Sequence, residues 1–382
     1  MMDAQGVLGE PGELGATNPI ARIRPDVRAM HAYVVQPSAG MLKLDAMENP
    51  FGLPLHLQAA LGQRLGALAL NRYPGDRIDD LRIALARHTD MPPGHSLMLG
   101  NGSDELISLL ALACAQPGPD GRRPVVLAPV PGFVMYAMSA QLQGLDFVGV
   151  PLTPDFELDE PAMLAAIAQH RPAITYIAYP NNPTATLWDE AAVQRISDAV
   201  AAQGGLLAVD EAYQPFASRT WLDRMRAEPA RNRHVLLMRT LSKFGLAGVR
   251  LGYLIGPSAL VAELDKVRPP YNVSVLNAEA ALFALEHADV FADQATELRH
   301  QRQQLITALR AMPGVQRCWD SQANMVLIRV ADAARTYAQL KARQVLIKNV
   351  STMHPLLAQC LRLTVGSADD NQRMLTALQA CL

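Results

Sequence analysis

The feature that most constrains this chain is a series of short apolar runs between about Leu97 and Gly256, each stopped by Gly, Pro or Asp and separated by longer helical patterns. The runs are VVLAP (Val125 to Pro129), ITYIAYP (Ile174 to Pro180), GLLAVD (Gly205 to Asp210), HVLLMRT (His234 to Thr240) and LGYLIG (Leu251 to Gly256). None alternates apolar with polar residues, as expected of strands buried on both faces of a largely parallel sheet. Segments such as Leu187 to Gln203 supply covering helices, so the expected class is α/β.

After PPYNVS (Pro269 to Ser274) the pattern changes. An Ala, Leu, Glu and Gln-rich stretch from Asn277 to Ala311 reads as one or two helices, and NMVLIRV, QVLIKNV and CLRLTVG read as strands of a smaller α+β unit. The segment from Lys43 to Pro50 is expected to join that unit. A chain of 382 residues exceeds the usual single-domain size. The expected division is a disordered tail over 1–23, a small part built from 24–70 and 275–382, and a large part over 71–274.

Charge and cysteine usage exclude several classes of function. Formal net charge is −2, with basic and acidic residues interspersed, so a nucleic acid or an anionic membrane is not an expected partner. The four cysteines form no CxxC pair and have no zinc spacing, so no metal is expected. The first twenty or so residues lack the basic flank and apolar stretch of a signal peptide. No apolar run reaches the ~18 residues of a membrane span. The expectation is a cytoplasmic protein.

Open α/β sheets bind ligands outside the carboxyl ends of their strands. The residues just after the runs are Phe133, Asn181, Asn182, Asp210, Tyr213, Ser242 and Lys243. A lysine held there has its pKa lowered by desolvation, and a neutral amine condenses with an aldehyde to a Schiff base. An aspartate ending a buried strand is costly unless it meets a cation, and a protonated pyridine nitrogen is one. Asn182 and Tyr213 can donate to an oxygen on the same ring, and Phe133 can stack on it. In GNGSDELISLLALA (Gly100 to Ala113) a Gly-containing turn opens a helix and presents backbone N–H groups to an anion. Thr240, Ser242 and Arg250 add hydroxyls and a guanidinium fork, completing a phosphate cup.

Taken singly, each piece has a plainer reading: Asp210 as a turn residue, NNP as a turn, Arg250 as a surface arginine. GNG does not complete a dinucleotide fingerprint, because Glu105 stands where GxGxxG needs its third glycine. The ordered set is more specific. YPNNPTA (Tyr179 to Ala185), VDEAY (Val209 to Tyr213) and TLSKFGLAGVRLGY resemble the signature blocks of fold-type-I pyridoxal-phosphate-dependent aminotransferases, in the same order and at similar separations. More narrowly, KLDAMENPFGLP (Lys43 to Pro54), NRYPG (Asn71 to Gly75), GNGSDE, PPYNVS and CLRLTVG resemble the histidinol-phosphate branch of that family. The resemblance runs from about Arg24 to the end.

The resemblance implies a large domain with a mostly parallel sheet, a smaller α+β domain from both chain ends, and pyridoxal 5′-phosphate as cofactor. Lys243 would form the Schiff base and serve as acid and base, Asp210 would pair with the ring nitrogen, and Tyr213 and Asn182 would contact the ring oxygen. Phe133 would stack on the ring. Gly102, Ser103, Asp104, Thr240, Ser242 and Arg250 would hold the phosphate, with Tyr73 reaching the phosphate of the second subunit of a homodimer. Arg362 would take the substrate carboxylate, with Lys348, Tyr33 and Asn182 completing the substrate site. The implied reaction is amino transfer between L-glutamate and imidazole-acetol phosphate. Aromatic amino-acid aminotransferases and a phosphothreonine decarboxylase share much of the scaffold and remain alternatives.

Three positions depart from the family pattern. Arg250 follows Lys243 by seven residues, one fewer than is common, so the intervening turn must be tighter. Ala185 replaces a glycine, and Met47 stands where an asparagine is expected, so an N-terminal contact is in question.

Overall fold

The computed structural model describes residues 19–30, 32, 36–118 and 121–382. The described residues up to Pro37 form a unit of their own, in which Pro19–Arg22 is a 3-10 turn and Pro25–Arg28 a single helical turn. The part of the expected disordered tail up to residue 18 lies outside the described residues, as does Tyr33.

In the remaining unit, β1 (Leu42–Lys43) precedes seven strands of one sheet: β2 (His95–Gly100), β3 (Val125–Val130), β4 (Asp146–Pro151), β5 (Ile174–Ala178), β6 (Leu206–Asp210), β7 (Val235–Thr240) and β8 (Gly252–Pro257). Their order is β2-β8-β7-β6-β5-β3-β4. Pairings from β7 through β4 are parallel, whereas β8 runs antiparallel to both neighbours.

Successive residues of these strands enter two different cores, which explains why the runs do not alternate in polarity. Leu127, Ile177, Val209, Leu237 and Ile255 pack on one face with Val193, Ile196 and Val200 of the helix Glu190–Ala202. Val126, Tyr176, Ala208, Leu236 and Leu254 pack on the other with Leu106, Ile107 and Leu110 of the helix Ser103–Ala113. Each large aliphatic side chain so buried contributes about 1.5–3 kcal/mol.

The C-terminal strands are β9 (Val315–Cys318), β10 (Met325–Val330), β11 (Val345–Leu346), β12 (Lys348–Asn349) and β13 (Cys360–Thr364). Four form an antiparallel sheet in the order β12-β13-β10-β9, and β11 pairs in parallel with β1, tying the N-terminal segment to the C-terminal part. The Ala-rich stretch forms two helices, Val275–Glu286 and Ala288–Ala311, broken at His287. Ser274 caps the first by accepting from Asn277 N, a contact that satisfies one of the unpaired N–H groups of the first turn.

Candidate active site

The carboxyl ends of β5, β6 and β7 open into a cavity of about 350 Å³. Ser103, Asp104, Phe133, Asn182, Asp210, Tyr213, Thr240, Ser242, Lys243 and Arg250 line it, so ten of the expected site residues meet at one place.

Lys243 Nζ donates to Ala46 O at 2.9 Å and lies 6.0 Å from the centre of the Tyr213 ring. Burial, followed by the nearby Arg362 and Arg250 charges, pushes its pKa down to about 8. At that value a useful fraction of the amine is neutral near physiological pH.

Asp210 ends β6 fully buried, with no cation at ion-pair distance among the described residues. Its Oδ1 accepts from Ala212 N at 3.0 Å and its Oδ2 from Tyr136 OH at 2.7 Å. Burial raises its pKa to about 6, against the two hydrogen bonds that favour the anion. Burial also raises the Tyr213 phenol, which keeps it a donor at neutral pH.

One end of the cavity is built for an anion. The helix Ser103–Ala113 starts at Gly102 with no side-chain cap, leaving its first N–H groups for a ligand. Beside it the Thr240 hydroxyl donates to Ser242 Oγ at 2.9 Å, and Arg250 Nη1 reaches the same oxygen at 3.3 Å. Gly102 and Gly252 let the backbones meet here: a Cβ on Gly252 would lie 2.7 Å from Gly102 C and from Ser103 N. Glu105, which stands in place of the third fingerprint glycine, accepts from Asn101 N and from Asn272 Nδ2, both at 2.6 Å, and so pins the turn. The seven-residue spacing from Lys243 to Arg250 closes through positive φ at Gly245 (143°) and Arg250 (52°).

Arg362 of β13 is buried and joins the two sheets, donating from Nη1 to Asn182 Oδ1 at 2.7 Å and from Nη2 to Asp45 O at 2.8 Å. Lys348 lies opposite Arg362 in the β12–β13 register, so both side chains project from one face of the sheet; neither lines the cavity, which Arg362 meets through its hydrogen bond to Asn182. Tyr73 also lies outside the cavity wall, 73% exposed, with its ring stacked 4.2 Å from that of Tyr271. Met47 is at the cavity through its own chain: its N–H donates to Thr364 Oγ1 and its carbonyl accepts from Asn324 Nδ2. Ala185, at the other altered position, is buried with φ of 61°, the left-handed region that favours glycine.

Two groups escape the sequence reading. Tyr136 is indistinguishable from a core aromatic by composition, although its place three residues after Phe133 at the start of a helix is a usable signal. The carbonyls of Asp45 and Ala46 have none, because backbone acceptors leave no mark on residue type.

The family model for aminotransferase class I and II matches residues 39–378. The chain is 77% identical over 363 residues to the histidinol-phosphate aminotransferase of Paracidovorax citrulli (strain AAC00-1), spanning 95% of this chain and 98% of that one. It is 67% identical over 360 residues to the histidinol-phosphate aminotransferase of Polaromonas naphthalenivorans (strain CJ2), spanning 94% and 96%. Among solved structures, histidinol-phosphate aminotransferase from Sinorhizobium meliloti in complex with pyridoxal-5′-phosphate superposes with a TM-score of 0.80 at 24% identity, over 94% of this chain and 97% of that one.

Proposed function

This chain belongs to the class I and II aminotransferase family, with the fold-type-I architecture, and on that premise we propose that it transfers an amino group between L-glutamate and imidazole-acetol phosphate, giving 2-oxoglutarate and L-histidinol phosphate. One observation carries the reading: in a chain so similar to histidinol-phosphate aminotransferases, Lys243, Asp210 and the Arg250 cup line a single cavity.

The residues fit pyridoxal 5′-phosphate at three separate points. The uncapped helix start with Thr240, Ser242 and Arg250 suits a phosphate, the buried and cation-free Asp210 suits a pyridinium, and Lys243 suits an aldehyde. When bound, this cofactor supplies an electron sink for the charge that develops at the substrate Cα.

Each side chain then has a task. The Lys243 amine, which burial leaves partly neutral near physiological pH, would take the proton from the substrate Cα and return it two atoms along, at the cofactor carbon. Asp210 holds a proton on the ring nitrogen. Tyr213 donates to the ring oxygen as a neutral phenol, and Asn182, whose Oδ1 is engaged by Arg362, offers its Nδ2 to the same oxygen. Phe133 covers one ring face. Arg362 presents a planar fork to the carboxylate of glutamate, and Lys348 on the neighbouring strand adds charge for the phosphate of the second substrate.

On the division expected from the sequence, a large part over 71–274 and a small part from 24–70 and 275–382, Arg362 would belong to the small part and Lys243 to the large one. A cytoplasmic homodimer completes the reading. It is supported by the exposed Tyr73–Tyr271 stack, an aromatic pair suited to cover by a second subunit. No helix among the described residues is long and apolar enough to cross a membrane.

The test is a single-turnover assay of the loaded enzyme, following the absorption of the bound cofactor, with L-histidinol phosphate, L-glutamate, L-phenylalanine and O-phosphothreonine in parallel. Histidinol phosphate and glutamate should react fastest. Lys348→Ala should weaken histidinol phosphate about tenfold to a hundredfold, by loss of a charge-assisted contact, while sparing glutamate. Preference for phenylalanine would replace the proposed substrate with an aromatic one, and carbon dioxide from phosphothreonine would replace the reaction.

A further inference from the structure

Asp210 does not stand alone at the end of β6. Tyr136, in the first turn of the helix Met135–Gln143, is wholly buried and donates its hydroxyl to Asp210 Oδ2 at 2.7 Å. The Tyr136 ring lies flat on Tyr176, with centroids 4.3 Å apart and planes 6° from parallel, and meets Phe133 edge-on at 5.6 Å. Its position is therefore set by packing on two sides, and the hydroxyl is delivered to the carboxylate by a rigid support. The other carboxylate oxygen is held by Ala212 N, so the rotation of the carboxylate is fixed at both oxygens.

We propose that Tyr136 is a positioning residue that acts through Asp210: its hydroxyl orients the carboxylate and favours its ionised form, which the carboxylate needs to hold a proton on the cofactor ring nitrogen. This rests on the cofactor site described above. The phenol itself is kept protonated by burial and by the Asp210 charge, so it acts only as a donor.

The surroundings of Asp210 show why a donor is needed. Asp104 from the helix Ser103–Ala113 and Glu211 next in sequence both disfavour its charge, as burial does. Tyr176 from β5 and Tyr213 beyond the strand end face it as neutral phenols. Tyr136 and the Ala212 N–H act in the opposite direction, favouring the anion. Removing the Tyr136 hydroxyl therefore moves the carboxyl pKa upward from about 6, into the range where cofactor binding is measured.

Tyr136→Phe keeps the ring stack and removes only the hydroxyl. The apoprotein would be titrated with pyridoxal 5′-phosphate between pH 5.5 and 8.5, reading tryptophan fluorescence, with thermal unfolding as the check on folding. Wild-type affinity should fall as pH drops through the Asp210 range. In Tyr136→Phe the fall should begin about one pH unit higher, giving about threefold weaker binding near pH 6.5, about eightfold at pH 5.5 and almost no difference toward pH 8. Tyr176→Phe, whose hydroxyl has no partner among the described residues, should follow the wild type. In an Asp210→Asn background the second substitution should change affinity by less than about twofold, because the group it acts through is gone. An unshifted acid limb, or an equal loss in both backgrounds, would show that Tyr136 is merely packing. Absence of any binding by the wild-type apoprotein would overturn the cofactor reading, and this inference with it.

Discussion

Arg362 Nη1 donates to Asn182 Oδ1 across 2.7 Å, joining the four-stranded sheet to the turn after β5 of the seven-stranded one. The same guanidinium donates from Nη2 to Asp45 O, so its plane is set by two acceptors from different parts of the chain. On the proposed function, such a plane would be prepared for a bidentate carboxylate.

Arg362→Lys should therefore fail nearly as badly as Arg362→Ala, because an ammonium on a flexible stem cannot reproduce a planar fork held at two points. The single-turnover rate with L-glutamate is expected to fall by about a hundredfold or more in both, from loss of two charge-assisted hydrogen bonds. A loss under tenfold in Arg362→Lys would mean that the carboxylate is held elsewhere.

Lys243 gives a pH prediction with a definite sign. Its pKa is lowered to about 8, and the neutral amine is the reactive form. The rate at which the apoprotein takes up pyridoxal 5′-phosphate should rise about tenfold per pH unit below 8 and level off above it. An unperturbed lysine would keep rising past pH 10. Between pH 8 and the ordinary lysine range the unfolded chain binds more protons than the folded one, so this group's contribution to stability increases with pH across that window. Arg362→Ala, which removes the largest neighbouring positive influence, should move the bend upward.

How much of this was legible in sequence depends on what each residue type can encode. β5, β6 and β7 stand out because both of their faces are buried, so their apolar runs are unbroken. β4 is an edge strand of mixed exposure and lacks that signal, and β2, the strand at the opposite edge, is not among the runs named from the sequence. The reversed direction of β8 was hidden because a strand buried between two neighbours looks the same in either direction. Lysine, aspartate and arginine in sheet-end positions pointed to the candidate site, the cavity that Lys243, Asp210 and Arg250 line, since charge there is expensive without a ligand. Tyr136 did not, because its ring satisfies the core and only its hydroxyl reaches the site.

Asp210 should show opposite effects on stability and on cofactor retention. Its folded-state pKa, about 6, lies above that of the unfolded chain, so the buried charge opposes folding increasingly from about pH 4 and fully above about 6. Asp210→Asn should thus stabilise the apoprotein at pH 7.5 by about 1–3 kcal/mol, seen as a higher melting temperature. The same substitution should shrink the further rise produced by pyridoxal 5′-phosphate and lower turnover by about a hundredfold or more, since the ring nitrogen loses its anionic partner. An apoprotein no more stable than the wild type would show that the carboxylate is already well satisfied without the ring.

The contact between Gly252 and the Gly102–Ser103 peptide makes the phosphate end separately testable. A Cβ at Gly252 would lie 2.7 Å from two backbone atoms that cannot rotate away, whereas one at Gly102 would meet chiefly the movable end of Arg250. Gly252→Ala must therefore push β8 from the start of the helix Ser103–Ala113, at about 1–3 kcal/mol for overpacking, well within what a folded chain of this size withstands. The N–H groups and the Arg250 fork would then no longer converge. Affinity for pyridoxal 5′-phosphate should fall by about thirtyfold or more, while affinity for pyridoxal, which has no phosphate, should change by less than about threefold. Measuring both ligands on the same apoprotein separates the two ends of the cavity. Equal losses would mean that the displacement of β8 reaches Lys243 and Asp210, and that the cup is not an independent part of the site.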